Sequence, residues 1–299
     1  MDIKQYLENR RSQVDAALHK YMLTEQGSLS GHIKAMGYSL FAGGKRVRPI
    51  LCLAAAEAVH GDAVNLPKAC MVTACALECI HAYSLIHDDL PAMDDDKLRR
   101  GIPTNHMVFG EAGAILAGDG LLTFAFELLS TPGLQSPSTE DRLRIISIIS
   151  KAAGPVGMVG GQFLDLENEG KEVKFATLRD IHSCKTGALI TASIQAGTIL
   201  GNGSAEQYEA LSIYGEKIGL AFQIVDDLLN VEGTQEQLGK AAGSDAARQK
   251  ATYPALFGIE KTRKKAKAAV HEAVAVLDKF DDRAEPLREL AKYIFTRKR

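Results

Sequence analysis

The chain has 299 residues, a formal net charge of −2, 46% hydrophobic residues and 24% charged ones. This is the composition of a globular protein, which excludes disordered and fibrous classes and gives no global field for nucleic acid or an anionic membrane. No uninterrupted apolar run of about eighteen residues occurs, so no membrane span is expected.

The first residues, M-D-I-K-Q-Y-L-E-N-R-R, lack the apolar core of a signal peptide. Of the five cysteines, four (Cys52, Cys70, Cys75, Cys79) fall in apolar runs. An odd count in such places predicts reduced core thiols and a cytoplasmic protein.

In chain order, Ile3, Leu7, Val14, Leu18 and Met22 form a helical stripe over 2–24. A short helix over 32–41 stops at Gly43-Gly44. Lys45-Arg46-Val47-Arg48-Pro49 follows, with Pro49 suited to the first position of a helix over 50–59. Basic side chains at a helix start make an anion site. A long helix is expected over 67–89, an irregular polar stretch over 92–110, and a helix over 111–130 weakened at Gly118-Asp119-Gly120. Residues 140–168 read as helix interrupted by G-P-V-G-M-V-G-G, after which Gln162 and Asp165 share a face. A helix over 175–200 contains Lys185-Thr186-Gly187. Another covers 205–231, a loop with Lys240 and Lys250 covers 233–250, and helices over 252–280 and 286–296 end the chain. Arg297-Lys298-Arg299 reads as a solvated tail. With no period-2 run, repeat or linker, the expectation is one all-α domain, residues 1–299, of about ten or more helices.

Two stretches carry the chemistry. Residues 78–100 read E-C-I-H-A-Y-S-L-I-H-D-D-L-P-A-M-D-D-D-K-L-R-R, and 222–230 read F-Q-I-V-D-D-L-L-N. Two apolar runs that each end in carboxylates predict one polar cavity between helices, holding hard cations. Magnesium suits them, since it takes oxygen ligands and binds through one or two carboxylates plus substrate phosphates. Asp94 lies about 120° round an ideal helix from Asp88, so the two converge only if Pro91 breaks the helix. Asp226 and Asn230, at i and i+4, share a face. The basic turn 45–48, Arg99-Arg100, Lys185, Lys240 and Lys250 complete a set suited to two diphosphates. That set fits a reaction in which diphosphate leaves and catalysis is electrostatic.

These motifs resemble the polyprenyl synthetase family of trans-isoprenyl diphosphate synthases, bacterial farnesyl diphosphate synthases above all. The resemblance runs from G-G-K-R-V-R-P to Thr252-Tyr253-Pro254 and includes the longer form of the first aspartate motif, D-D-L-P-A-M-D. It implies a helical bundle around a central cavity, a homodimer, and condensation of isopentenyl diphosphate with allylic diphosphates. By resemblance, Asp88 and Asp94 bind two Mg²⁺ and Asp226 a third. Arg99, Lys185, Gln223, Lys240 and Lys250 hold the allylic diphosphate, while Lys45, Arg48, His81 and Arg100 hold isopentenyl diphosphate. The backbone at Lys185 and Thr186, with Gln223, faces the allylic cation.

Tyr83, five residues before Asp88, occupies the family's chain-length position, with Ser84 beside it. A bulky aromatic there resembles the C15 enzymes. Two positions depart from the family pattern: Asn230 stands where aspartate is usual, and Gln249 where glycine or asparagine is common. Other readings are a geranyl or geranylgeranyl diphosphate synthase, a terpene cyclase, or a non-catalytic partner subunit. A cyclase would lack the second basic set, and a partner subunit would have lost aspartates. A second copy is expected to pack on 67–82 or 111–130.

Overall fold

The helix that delivers the first acidic cluster packs against the other helices of the N-terminal half of the bundle and against one central helix. In the computed structural model, which describes residues 1–61, 65–132, 138–233 and 250–297, this is α4 (Lys68–Asp88). Its small residues Ala69, Cys70, Ala74, Cys75, Ala76 and Cys79 are all buried, so neighbours approach closely on every side. Before it come α1 (Ile3–Tyr21), α2 (Ser30–Leu40) and α3 (Val47–Val59), and after it α5 (Asn105–Ser130). α4 packs most extensively on α5 and then on α3.

The interruption expected in the glycine-rich run separates α6 (Thr139–Ala153) from α7 (Met158–Glu167). A Cβ on Gly157 would lie 2.2 Å from the Ala152 carbonyl oxygen, so only glycine lets the chain turn there. Next, α8 (Phe175–His182) and α9 (Ala188–Leu200) are joined by a π-helical turn, Ser183–Gly187. α10 (Ala205–Glu232) starts at a capping box: Ser204 Oγ accepts from Gln207 N–H, and Gln207 Oε1 accepts from Ser204 N–H. The chain closes with α11 (Tyr253–Phe257), α12 (Ile259–Ala275) and α13 (Glu285–Thr296). The single helix expected over 252–280 is split at Gly258, whose φ of 75° leaves the right-handed region. The fold is all-α. Its one strand pairing among the described residues is a two-residue antiparallel ladder, β1 (Leu98–Arg99) with β2 (Ile102–Pro103).

One expectation is corrected. Lys68–Asp88, Asn105–Ser130 and Thr139–Glu167 are each long and apolar enough to cross a membrane by length and composition. The run criterion passed over them because single polar residues such as Glu78 and Asp119 interrupt each run. Their apolar windows are 78%, 44% and 33% buried inside the fold, respectively. All five cysteines are free, and four are buried as expected.

Candidate active site

α4 ends where its sequence says it must. Pro91 has no N–H to continue the ladder, so the chain turns back, and the Asp94 N–H donates to the Asp88 carbonyl at 2.8 Å. That turn sets Asp94 against Asp88. Burial pushes the Asp88 carboxyl up to about 6; Lys185 opposes this and the Asp94 charge adds to it.

Facing these carboxylates are two lysines from distant parts of the chain. Lys185 Nζ donates to Asp165 Oδ2 at 2.7 Å, and Lys250 Nζ reaches Asp165 Oδ2 at 3.2 Å and Asp94 Oδ1 at 3.4 Å. Burial raises the Asp165 carboxyl, but Lys185 and Lys250 outweigh it and hold the group below the usual range. Lys185 is placed by glycine. A Cβ on Gly161 of α7 would lie 2.2 Å from the Lys185 backbone nitrogen, and one on Gly219 of α10 would lie 2.9 Å from Gly187 Cα. The π-turn is therefore clamped between α7 and α10, with Thr186 buried inside it. Such turns recur at functional sites.

The basic side is built by a hairpin. Arg100 and Gly101, between β1 and β2, have φ of 54° and 82°, the positive pair of a tight two-residue turn. Arg99 Nε and Nη2 both donate to Asp89, at 2.8 and 2.6 Å. Arg100 donates to the Gly43 carbonyl oxygen and lies on Gly44, where a Cβ would sit 2.9 Å from its guanidinium. Arg48, at the start of α3, is partly buried with an unpartnered Nε. Burial, followed by Arg48, Arg100 and Arg99, drives the His81 ring well below its ordinary range, so it stands neutral among cations. Lys45 is exposed on the turn before α3. Within this turn Arg46 is not part of the anion surface. It is buried, paired with Asp15 at 2.8 Å and Glu78 at 2.7 Å, and it donates to the Leu40 carbonyl.

On α10, Asp226 is half-exposed, Gln223 is half-buried and Asn230 is buried. Tyr83 is buried on α4 and meets His87 edge-on, ring centroids 5.7 Å apart. Ser84 Oγ donates to the His81 carbonyl. Lys240 and Gln249 lie outside the described residues.

Three residues carry more of the site than the sequence suggested. Asp165 joins the two lysines. Asp227 accepts the Tyr253 N–H at 2.8 Å and ties the segment bearing Lys250 to α10. Arg297, expected to be a solvated tail residue, is buried and pairs with Asp226 at 2.6 Å, because α13 ends against α10. Asp165 shares a face with Gln162 after the glycine-rich run and Asp227 stands inside the second acidic motif, both faint signals; nothing in the sequence marked the third.

Among the described residues, no three His, Cys, Asp or Glu side chains converge on one metal-sized point. Magnesium needs less than that, since phosphate oxygens and water complete its octahedron. Asp88, Asp94 and Asp226 supply oxygen donors only, two of them held together by the turn at Pro91, and this donor set fits the ion.

Residues 31–293 match the polyprenyl synthetase family. A farnesyl diphosphate synthase of Geobacillus stearothermophilus is 48% identical over 266 residues, covering 89% of this chain and 88% of the relative. A geranylgeranyl diphosphate synthase of Cyanophora paradoxa is 44% identical, covering 98% and 95%. The apo crystal structure of an FPP/GFPP synthase from Zymomonas mobilis superposes with a TM-score of 0.86 at 37% identity, covering 98% of this chain and 99% of that one. The scaffold is shared along almost the whole chain with these enzymes: the protein belongs to the polyprenyl synthetase family and is a prenyltransferase.

Proposed function

We propose that the protein is a farnesyl diphosphate synthase, condensing isopentenyl diphosphate with dimethylallyl and then geranyl diphosphate, as one catalytic domain. The observation that carries the chain length is Tyr83, a buried aromatic roughly one and a half turns before Asp88 on the same helix. From that place its ring would close the far end of an allylic pocket that opens at the aspartate cluster. The alternative is a geranylgeranyl synthase, supported by relatives of that name at similar identity.

Asp88, Asp94 and Asp226 would hold three Mg²⁺, which supply charge neutralisation to a departing diphosphate. Lys185 and Lys250 already sit at the edge of the carboxylates and can turn their ammonium groups from Asp165 to phosphate oxygens. Arg99 is fixed by Asp89 with a face left for the same diphosphate. Gln223 on α10 borders it, and Lys240 is assigned there from its motif position. Arg48, Arg100, Lys45 and neutral His81 form a second anion site for isopentenyl diphosphate. The allylic C–O bond breaks and its electron pair leaves with diphosphate. The double bond of isopentenyl diphosphate attacks the allylic carbon, and a proton passes from the condensed product to the released diphosphate. The buried backbone at Lys185–Thr186 faces the transient cation, and no side-chain nucleophile takes part. All five cysteines being free supports a reducing, cytoplasmic setting.

The test is product length. Dimethylallyl diphosphate, excess isopentenyl diphosphate and Mg²⁺ are incubated with enzyme, and the alcohols separated after dephosphorylation. The wild type should give mostly C15, and Tyr83→Ala should shift the products to C20 and beyond. A wild type giving mostly C20 assigns the geranylgeranyl alternative; an unchanged spectrum in Tyr83→Ala returns Tyr83 to a packing role.

A further inference from the structure

Asp226 is not waiting empty-handed. Its Oδ1 accepts from Arg297 Nη2 at 2.6 Å. The same guanidinium donates to the Phe222 carbonyl at 3.2 Å and lies 4.1 Å from the centre of the Phe222 ring. Backbone geometry holds it there, because the Arg297 N–H caps α13 on the Tyr293 carbonyl. The two partners are unequally buried: the arginine side chain is 3% exposed and the aspartate 51%. Arg297 Nε is also buried with no partner, so the guanidinium is incompletely satisfied.

We propose that Arg297 is a placeholder cation for Asp226, neutralising the carboxylate while no metal is bound and displaced from it when a divalent cation arrives. The inference rests on the reading of Asp226 as a metal ligand. Three features support the exchange. The open side of Asp226 lets a hydrated ion approach without first disrupting the fold. A divalent ion and a guanidinium on one carboxylate would repel at short range. When Asp226 lets go, the guanidinium keeps its contacts with the Phe222 carbonyl and ring, so it is not left wholly without a partner. Metal loading at the second acidic cluster is then coupled to a shift of the Arg297 side chain.

The test titrates Mn²⁺ into the full-length enzyme with inorganic pyrophosphate present, reading free Mn²⁺ by electron paramagnetic resonance. Wild type, Arg297→Gln, Arg297→Lys and Asp226→Asn are compared, with helix content checked by circular dichroism. Removing the competitor should tighten the weakest class of Mn²⁺ sites by roughly fivefold in Arg297→Gln. Arg297→Lys, which keeps charge but loses the second contact, should lie between that variant and wild type, and it decides the matter if the glutamine variant does not fold. Melting provides a second readout. Arg297→Gln should melt below wild type in EDTA, and the difference should vanish once Mn²⁺ and pyrophosphate saturate. Isotherms of the Arg297 variants that overlay the wild type, while Asp226→Asn loses its weakest class, would overturn the placeholder and leave Asp226 a ligand. An Asp226→Asn isotherm identical to wild type would remove Asp226 from the metal site, and this proposal with it.

Discussion

At Asp165 two ammonium groups meet one carboxylate, and this sharing keeps Lys185 and Lys250 close together in a partly buried cleft. A neighbouring residue makes the cost of charge in this region measurable. His182 is stacked on Tyr253, its Nδ1 is buried without a partner, and burial pushes its ring down to about 4. The unfolded ring takes up its proton near 6.5, so between those values the unfolded state binds more protons. Stability therefore falls as pH drops through that window, by up to about 2 kcal/mol at pH 5 from this group. His182→Phe, which keeps the stack, should show a shallower fall in melting temperature from pH 7 to 5. Parallel acid slopes in the two proteins would show that His182 is not the responsible group.

At the scale of elements, the site depends on four helices, α7 to α10, meeting at the π-turn. Gly161→Ala would place a methyl group 2.2 Å from the Lys185 backbone nitrogen, a contact that no rotamer change relieves. The expected loss is about 1–3 kcal/mol, measured by denaturant unfolding, together with weaker binding of the allylic substrate because Lys185 moves. A loss of stability with an unchanged Michaelis constant would confine Gly161 to packing. This level also separates what the sequence disclosed from what it did not. The boundaries of α4 and α10 were readable from apolar periodicity and from Gly and Pro punctuation, whereas the single helix expected over 175–200 is divided by the π-turn into α8 and α9. The hairpin at Arg100-Gly101 was not readable, because a two-residue ladder has too few side chains to show alternation. Nor were the bonds from Asp165 to Lys250 and from Asp226 to Arg297, since each joins residues that only the folded chain brings together. Of the basic turn only Lys45 and Arg48 were assigned to an anion; Arg46 between them is turned inward by Asp15 and Glu78.

At the scale of the whole molecule, the two faces suggested for a second copy differ. Residues 69–80 are almost wholly buried by the chain's own helices, which leaves little for a partner to cover. α5 instead leaves Met107, Ile115 and Leu116 exposed, at 52%, 44% and 57%. Exposed apolar side chains mark candidate association faces, and we propose a homodimer formed through α5. Light scattering should give twice the chain mass for the wild type, and Leu116→Glu should shift the population towards the monomer. A wild-type mass equal to one chain would refute this assignment.

The short hairpin has a thermodynamic consequence for any anion that docks beside it. Each arginine side chain carries about 2 kcal/mol of rotamer entropy. Arg99 is already fixed by Asp89, and Arg100 by the Gly43 carbonyl. That disorder is lost when the chain folds, before a ligand arrives. Binding of a diphosphate there should therefore show a small entropic penalty in calorimetry, with the heat of forming charged hydrogen bonds left largely uncancelled.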